Sequence, residues 1–238
     1  GLNNPSGFDF DGTLKLNGYT AVLLDSTEAL LGVVTSLGNG GTLVAANGIT
    51  LGSGRDLNGS GVIDSDLNHQ GTITVLENES IAIRGTLSGG GSFPGAGEVV
   101  ITSTYHPGNS SSAIGFGGDV TFGPDTHLVL EINGPVPGSD YDQLDIEGQL
   151  VADGTLEIVL SDGYVPAAGQ SFNLLNFATV SGTFDEILFT GSVLGEGLEW
   201  VSTDLYTYGT VSVGLIVPPL PPVITLIGPA ELALEALP

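Results

Sequence analysis

Leu57-Asn58-Gly59-Ser60-Gly61-Val62-Ile63, and shortly after it Asn68-His69-Gln70-Gly71-Thr72-Ile73-Thr74-Val75, carry the pattern that decides the fold. A turn of glycine and asparagine is followed by threonine or a small residue. A bulky aliphatic residue then opens a short alternating run. Glycine reaches backbone conformations that other residues avoid. Threonine and branched aliphatics suit a pleated, half-buried strand, and strict alternation marks one. The same start recurs at Gly12-Thr13-Leu14, Gly41-Thr42-Leu43, Gly85-Thr86-Leu87, Gly154-Thr155-Leu156, Gly182-Thr183-Phe184 and Gly209-Thr210-Val211. Several recurrences are close to evenly spaced, as from Gly12 to Gly41 and from Gly41 to Gly71, whereas Gly85 follows Gly71 at about half that interval. Turn formers such as Ser88-Gly89-Gly90-Gly91 and Pro107-Gly108-Asn109 separate the runs.

No stretch before residue 217 sustains a helical period, although Ser26 to Leu31, within Asp25 to Val34, has the residues for one turn. Many short strands with glycine-rich turns and few hairpin dipeptides predict an all-β chain. The expected architecture is a parallel β-helix in which each coil buries its apolar face against the next. A β-sandwich is the competing architecture, and it calls for hairpins.

Composition narrows the function. Asp and Glu total 27 against 3 Lys and Arg, for a net charge of −24. Three basic residues cannot displace counterions along a polyphosphate, which argues against nucleic acid as a partner and against anionic lipid surfaces. Cys is 0, which excludes disulfides and thiolate zinc sites. No segment is long and apolar enough to span a bilayer directly. The longest candidate, from Leu215 to Ile227, is broken by Pro218, Pro219, Pro221 and Pro222. The absence of Met, position 1 included, leads to the expectation of a mature product or a fragment. The acidic balance and lack of cysteine lead to an extracellular or cell-surface assignment.

The coils around Leu57–Ile73, with Gly85-Thr86-Leu87-Ser88-Gly89 and Tyr105-His106-Pro107-Gly108-Asn109-Ser110, resemble those of autotransporter-type β-helix passengers. Leu130-Glu131-Ile132-Asn133-Gly134, Tyr141-Asp142-Gln143-Leu144, Gly163-Tyr164-Val165-Pro166 and Phe172-Asn173-Leu174-Leu175 resemble the C-terminal module of such passengers. A closing strand is expected over Leu205-Tyr206 and Gly209–Val213. The resemblance implies a right-handed parallel β-helix (solenoid) with a C-terminal β cap, and a role in display, adhesion or as a stalk. It divides the chain into β-helix coils at 1–115, a cap at 116–216, and a Pro-rich linker at 217–238. The linker ends in what looks like the first strand of an immunoglobulin-like module, from Pro222 to Leu232.

Two carboxylate groupings are candidate metal sites. Asp56, Asn58, Ser60 and Asp64 fall at the first, third, fifth and ninth positions of a calcium-type loop. Gly61 stands at the sixth, but Leu67 replaces the carboxylate needed at the twelfth. Asp140 and Asp142 would share one strand face if a strand begins there. Two such carboxylates are what a low-affinity Ca²⁺ contact, or the acid and base of a glycosidase, would need. The same residues also suit turns. No cofactor is required. His69, His106 and His127 lack metal-ligand spacing and are expected at the surface. Trp200, Tyr206 and Tyr208 suit cap packing better than a sugar platform.

The reading is a non-enzymatic, structural or adhesin-type segment of a bacterial surface or secreted protein. Its expected partners are surface glycans, host or neighbouring cells, or copies of itself. The alternatives are a filament subunit that pairs through Val223–Leu226 and a carbohydrate-active β-helix enzyme.

Overall fold

The computed structural model describes residues 12–24, 31–108, 111–161 and 163–219. The expected immunoglobulin-like strand, the pairing strand Val223–Leu226 and most of the possible helical turn after Asp25 lie outside the described residues. Within them the chain is an all-β parallel solenoid. Short strands from successive coils stack into parallel sheets of nine, seven and four strands. Leu43, Ile63, Ile83, Ile101 and Phe122 stand in register on successive strands of the nine-stranded sheet. Leu67, Leu87, Tyr105, Leu128 and Leu156 do the same in the seven-stranded sheet. No member of either ladder is more than 1% exposed. Burying each such side chain contributes about 1.5–3 kcal/mol.

The alternation read from the sequence is the alternation of burial. Gly41–Ala45 and Thr155–Leu160 bury every second residue, and the intervening ones face outward. Thr13, Thr72, Thr155 and Thr210 open strands, and Thr42 is the second residue of one. The near-regular motif spacing, however, is not the coil length. Thr13 and Thr72 belong to the four-stranded sheet, whereas Thr42 belongs to the nine-stranded one. Gly-Thr marks a corner, and a coil has several corners. Beyond Val120 the coils lengthen. Val120, Leu150 and Val180 stand in register on successive strands, at equal intervals wider than those between Leu43, Ile63 and Ile83.

Parallel stacking continues to the strands Leu175–Gly182 and Glu186–Gly191. A different structure then covers the end of the core. Ser171–Asn173, Thr210–Leu215 and Leu198–Val201 form an antiparallel sheet, and Leu205–Tyr208 is a single helical turn. Leu205-Tyr206 is therefore helix where a strand was expected. The closing strand begins only at Thr210. Leu205 is fully buried, and Gly209 ends the turn in a left-handed conformation at φ 68°. The Gly209 carbonyl accepts the N–H groups of Leu174 and Leu175, at 2.8 and 3.1 Å. The Tyr206 hydroxyl accepts the Phe184 N–H at 2.9 Å, and Trp200 stacks on Phe189 with centroids 4.8 Å apart. These residues seal the last coil. Tyr208, in contrast, is 67% exposed.

Leu174 is completely buried at this seal, so Leu174→Ala is expected to cost about 2–5 kcal/mol. A Cβ on Gly209 would run into the carbonyl of Leu175, whereas Gly197, equally left-handed at φ 76°, has nothing within 4 Å of that position. In urea unfolding, Gly209→Ala is therefore expected to lower the midpoint well below that of Gly197→Ala. Equal midpoints would show that the Gly209–Leu175 contact does not hold the cap.

Candidate functional site

The two carboxylate groupings meet different fates. Asp56 and Asn58 lie on one short strand of the four-stranded sheet. Asn58 Nδ2 donates to Asp56 Oδ2 at 2.8 Å, and Thr74 Oγ1 donates to Asp56 Oδ1 at 3.1 Å. Ser60 sits at the corner, where its carbonyl accepts the Gly40 N–H at 3.1 Å. Asp64 ends the next strand, Gly61–Asp64, which belongs to the nine-stranded sheet. The corner thus sends the fourth predicted ligand onto another face of the solenoid. A calcium loop would have wrapped all four around one point. Among the described residues, no group of three or more His, Asp or Glu side chains is placed to hold a metal ion.

Asp140 and Asp142 do not share a strand face, because the strand opens only at Gln143. Asp140 closes the preceding loop: its Oδ2 accepts the Val136 N–H at 3.1 Å, and its backbone carbonyl accepts the Asn133 N–H at 2.8 Å. Asp142 is covered by its surroundings and is 1% exposed. Its Oδ1 accepts the Ser112 N–H and its Oδ2 the Glu131 N–H, each at 2.8 Å. One carboxylate therefore satisfies backbone donors on two separate segments that no ladder supplies. Burial outweighs these bonds and pushes the Asp142 carboxyl up to about 7, with the Glu131 charge adding to the rise. Beside it, the phenol of Tyr105 is fully buried and pushed upward by burial and by the Asp142 charge. Its hydroxyl has no hydrogen-bond partner among the described residues.

Asp142 borders a cavity of about 300 Å³ lined also by Ser88, His106, Pro107, Val129 and Glu131. A second cavity, of about 340 Å³, is lined by Asn47, Thr50, Asp66, Asn68, Thr86 and again Ser88. Ser88 lines both, so the two cavities adjoin on the outer face of the seven-stranded sheet.

Of the three histidines, His106 is exposed on that face. His127 Nε2 lies 2.8 Å from Glu157 Oε2. His69 departs from the surface position expected of it, at 1% exposure. Its ring packs edge-on against Phe93, centroids 4.7 Å apart, and Nε2 lies 3.1 Å from the Ser92 carbonyl oxygen. A carbonyl can only accept, so Nε2 carries the proton. The ring fits because Gly91 has no side chain: a Cβ there would meet the imidazole. Burial lowers the His69 pKa to about 4, against a smaller upward pull from the Ser92 bond. Neither His69 nor Asp142 was legible as a buried polar residue from the sequence. The available signal was position in an alternating run, as in Leu67-Asn68-His69, where His69 takes the inward phase of Leu67.

Comparison with protein-family models, with curated proteins and with solved structures gives no match.

The two buried groups make opposing contributions to stability. Asp142 titrates higher in the folded chain than in the unfolded one. Between about pH 4 and 7 the folded state therefore holds an extra proton, and this contribution is lost as pH rises through about 7. His69 titrates lower when folded, so between about pH 6.5 and 4 the unfolded state takes up the extra proton, and this contribution is lost as pH falls. Relative to wild type, Asp142→Asn should gain an upward slope of stability with pH across this window, and His69→Phe a downward one. Denaturant titrations at closely spaced pH values measure both. Identical slopes in all three proteins would refute the assignment.

Proposed function

We propose that this chain is a non-enzymatic structural or adhesin-type segment of a bacterial surface or secreted protein, acting outside the cell as a rigid acidic rod section. The observation that carries the reading is the use made of its buried polar chemistry. Asp142 is the one buried carboxylate among the described residues. A carboxyl near neutrality is what a general acid requires, but both of its oxygens are engaged with backbone N–H groups. Its work is to join segments. Apart from His69 and a few buried hydroxyls, the rest of the interior is one apolar cluster from Leu16 to Val213, which supports a stiff solenoid and leaves function to the outer faces. The strongly negative exterior supports solubility and mutual repulsion outside the cell, and the likeness of the Tyr141–Leu144 and Phe172–Leu175 stretches to autotransporter passenger modules points the same way.

Two measurements test the proposal. Antibody raised against the folded chain is expected to label intact cells of the producing bacterium or its culture medium; labelling only after permeabilisation would overturn the extracellular assignment. Incubation of the purified chain with neutral and acidic polysaccharides is expected to release no new reducing ends. Release that disappears in Asp142→Asn would replace this reading with an enzymatic one.

A further inference from the structure

We propose that the groove formed by these two adjoining cavities, on the outer face of the seven-stranded sheet, binds an uncharged linear oligosaccharide. The register of the sheet supplies the first argument. Thr50 pairs with Asn68, Asn68 with Ser88, and Ser88 with His106. Hydroxyl, amide and imidazole groups thus follow one another up the solenoid at the inter-strand distance of about 4.8 Å. That spacing is comparable to the length of one sugar ring in an extended chain, so each ring would meet a fresh hydrogen-bonding group. The second argument is the state of those groups. Outward Thr74, Thr121 and Thr190 on the solenoid each donate to a carboxylate, of Asp56, Glu98 and Glu157. In the groove, Thr50, Ser88 and His106 have no side-chain hydrogen bond to any described residue. Asn68 Oδ1 accepts from Gln70 Nε2 at 3.0 Å, and Asn68 Nδ2 has no partner among the described residues. The face therefore has unengaged donors and acceptors along the line where the two cavities run.

Charge selects the ligand. No Lys or Arg among the described residues lines either cavity, and Asp66, Glu131 and Asp142 border them in a chain of net charge −24, so a uronic-acid or sulfated polymer is repelled. A cationic peptide would need free carboxylates. Asp142 has both oxygens occupied, and Asp66 Oδ1 accepts the Thr86 N–H at 2.7 Å. That leaves Asp66 Oδ2 in one cavity and the Glu131 carboxylate in the other, single acceptors and not a cluster that would hold a run of cations. Between them lies a line of neutral donors and acceptors, Thr50, Asn68, Ser88 and His106, which suits a hydroxyl-rich, uncharged chain. The opposite side of the same strands is the aliphatic ladder, so a ligand can lie on this face without disturbing the core. The inference rests on the non-enzymatic reading above for the fate of the bound chain, which is held and not cut.

The test uses the full chain and neutral hexasaccharides of β-1,4-glucose, α-1,4-glucose and β-1,4-mannose, with hexagalacturonate and hexalysine as charged controls, followed by calorimetry and by mass analysis of the recovered sugar. At least one neutral hexasaccharide is expected to bind, with Kd between about 10 μM and 1 mM. Asn68→Ala and Ser88→Ala should each weaken binding several-fold, and their combination at least tenfold. Thr74→Ala, on another sheet, should leave it unchanged. Circular dichroism and urea midpoints establish that the exposed-face variants stay folded. Binding by none of the neutral sugars, binding indifferent to Asn68 and Ser88, or preference for either charged control would overturn the site. Recovery of shortened sugar would leave the site standing and overturn the non-enzymatic reading instead.

Discussion

A parallel coil cannot cover its own inner face. Each one here turns a line of leucine, isoleucine and valine toward the axis, and only the coil above and the coil below remove that line from water. Most other features follow from this dependence. Strands stay short because the chain must soon turn a corner, and few of them exceed the span of Thr155–Leu160. Register is rigid, because a slip of one position would exchange Leu43, Ile63 and Ile83 for outward neighbours such as Thr42, Val62 and Ala82. The last coil has no successor, so something unlike a coil must finish the stack. The antiparallel sheet, the single turn at Leu205–Tyr208 and the aromatic side chains of Trp200 and Tyr206 do so.

Corners bring backbone close to backbone, and this accounts for much of the glycine content. At Gly85 an added Cβ would strike the peptide between Ser65 and Asp66, one coil below. Carboxylates and hydroxyls serve the same corners from the other side. Asp66 accepts the Thr86 N–H from the coil above at 2.7 Å, and Asp119 does this for Gln149 across a longer coil, also at 2.7 Å. Among the described residues, Asp66, Glu79, Asp119, Asp140, Asp142 and Asp153 thus act as acceptors for backbone donors. Asp142 is the extreme case, a carboxylate almost wholly covered while it accepts from two segments at once.

The sequence made the strand starts legible because Gly-Thr-apolar combines two strong local preferences, a turn and a β-branched residue. Inward and outward faces were legible for the same reason, as in Thr155–Leu160. The coil length was not, because corners recur more often than coils and the motif marks only some of them. The Asp56 grouping was misleading for a related reason: spacing along the chain says nothing of the corner at Gly59–Ser60 that parts Asp56 from Asp64. The strand expected at Leu205-Tyr206 rested on the resemblance to passenger modules and not on a local signal in these residues. The decisive contacts, from Gly209 to Leu174 and Leu175, lie far away along the chain. The groove was beyond reading altogether, since Thr50, Asn68, Ser88 and His106 become neighbours only when coils of unequal length are laid in register.

Coil length sets the place of an outward residue and not its chemistry: Thr42, Val62 and Ala82 stand one above another at equal intervals and differ in type. Here the coils up to Phe122 are short and slightly uneven, and those that follow are longer, yet the inner ladder stays aligned throughout while the outer residues vary freely. Inside, substitution is limited to aliphatic and aromatic side chains and to polar ones with a defined partner, as Asp142 has. Outside, one sheet pairs Thr121 with Glu98 and another leaves Ser88 and His106 open. The division between a constrained inner phase and a permissive outer phase lets a single scaffold carry recognition on one face without altering what holds it together. It also places any specificity of this chain in the outward residues of a few adjacent coils rather than in its core.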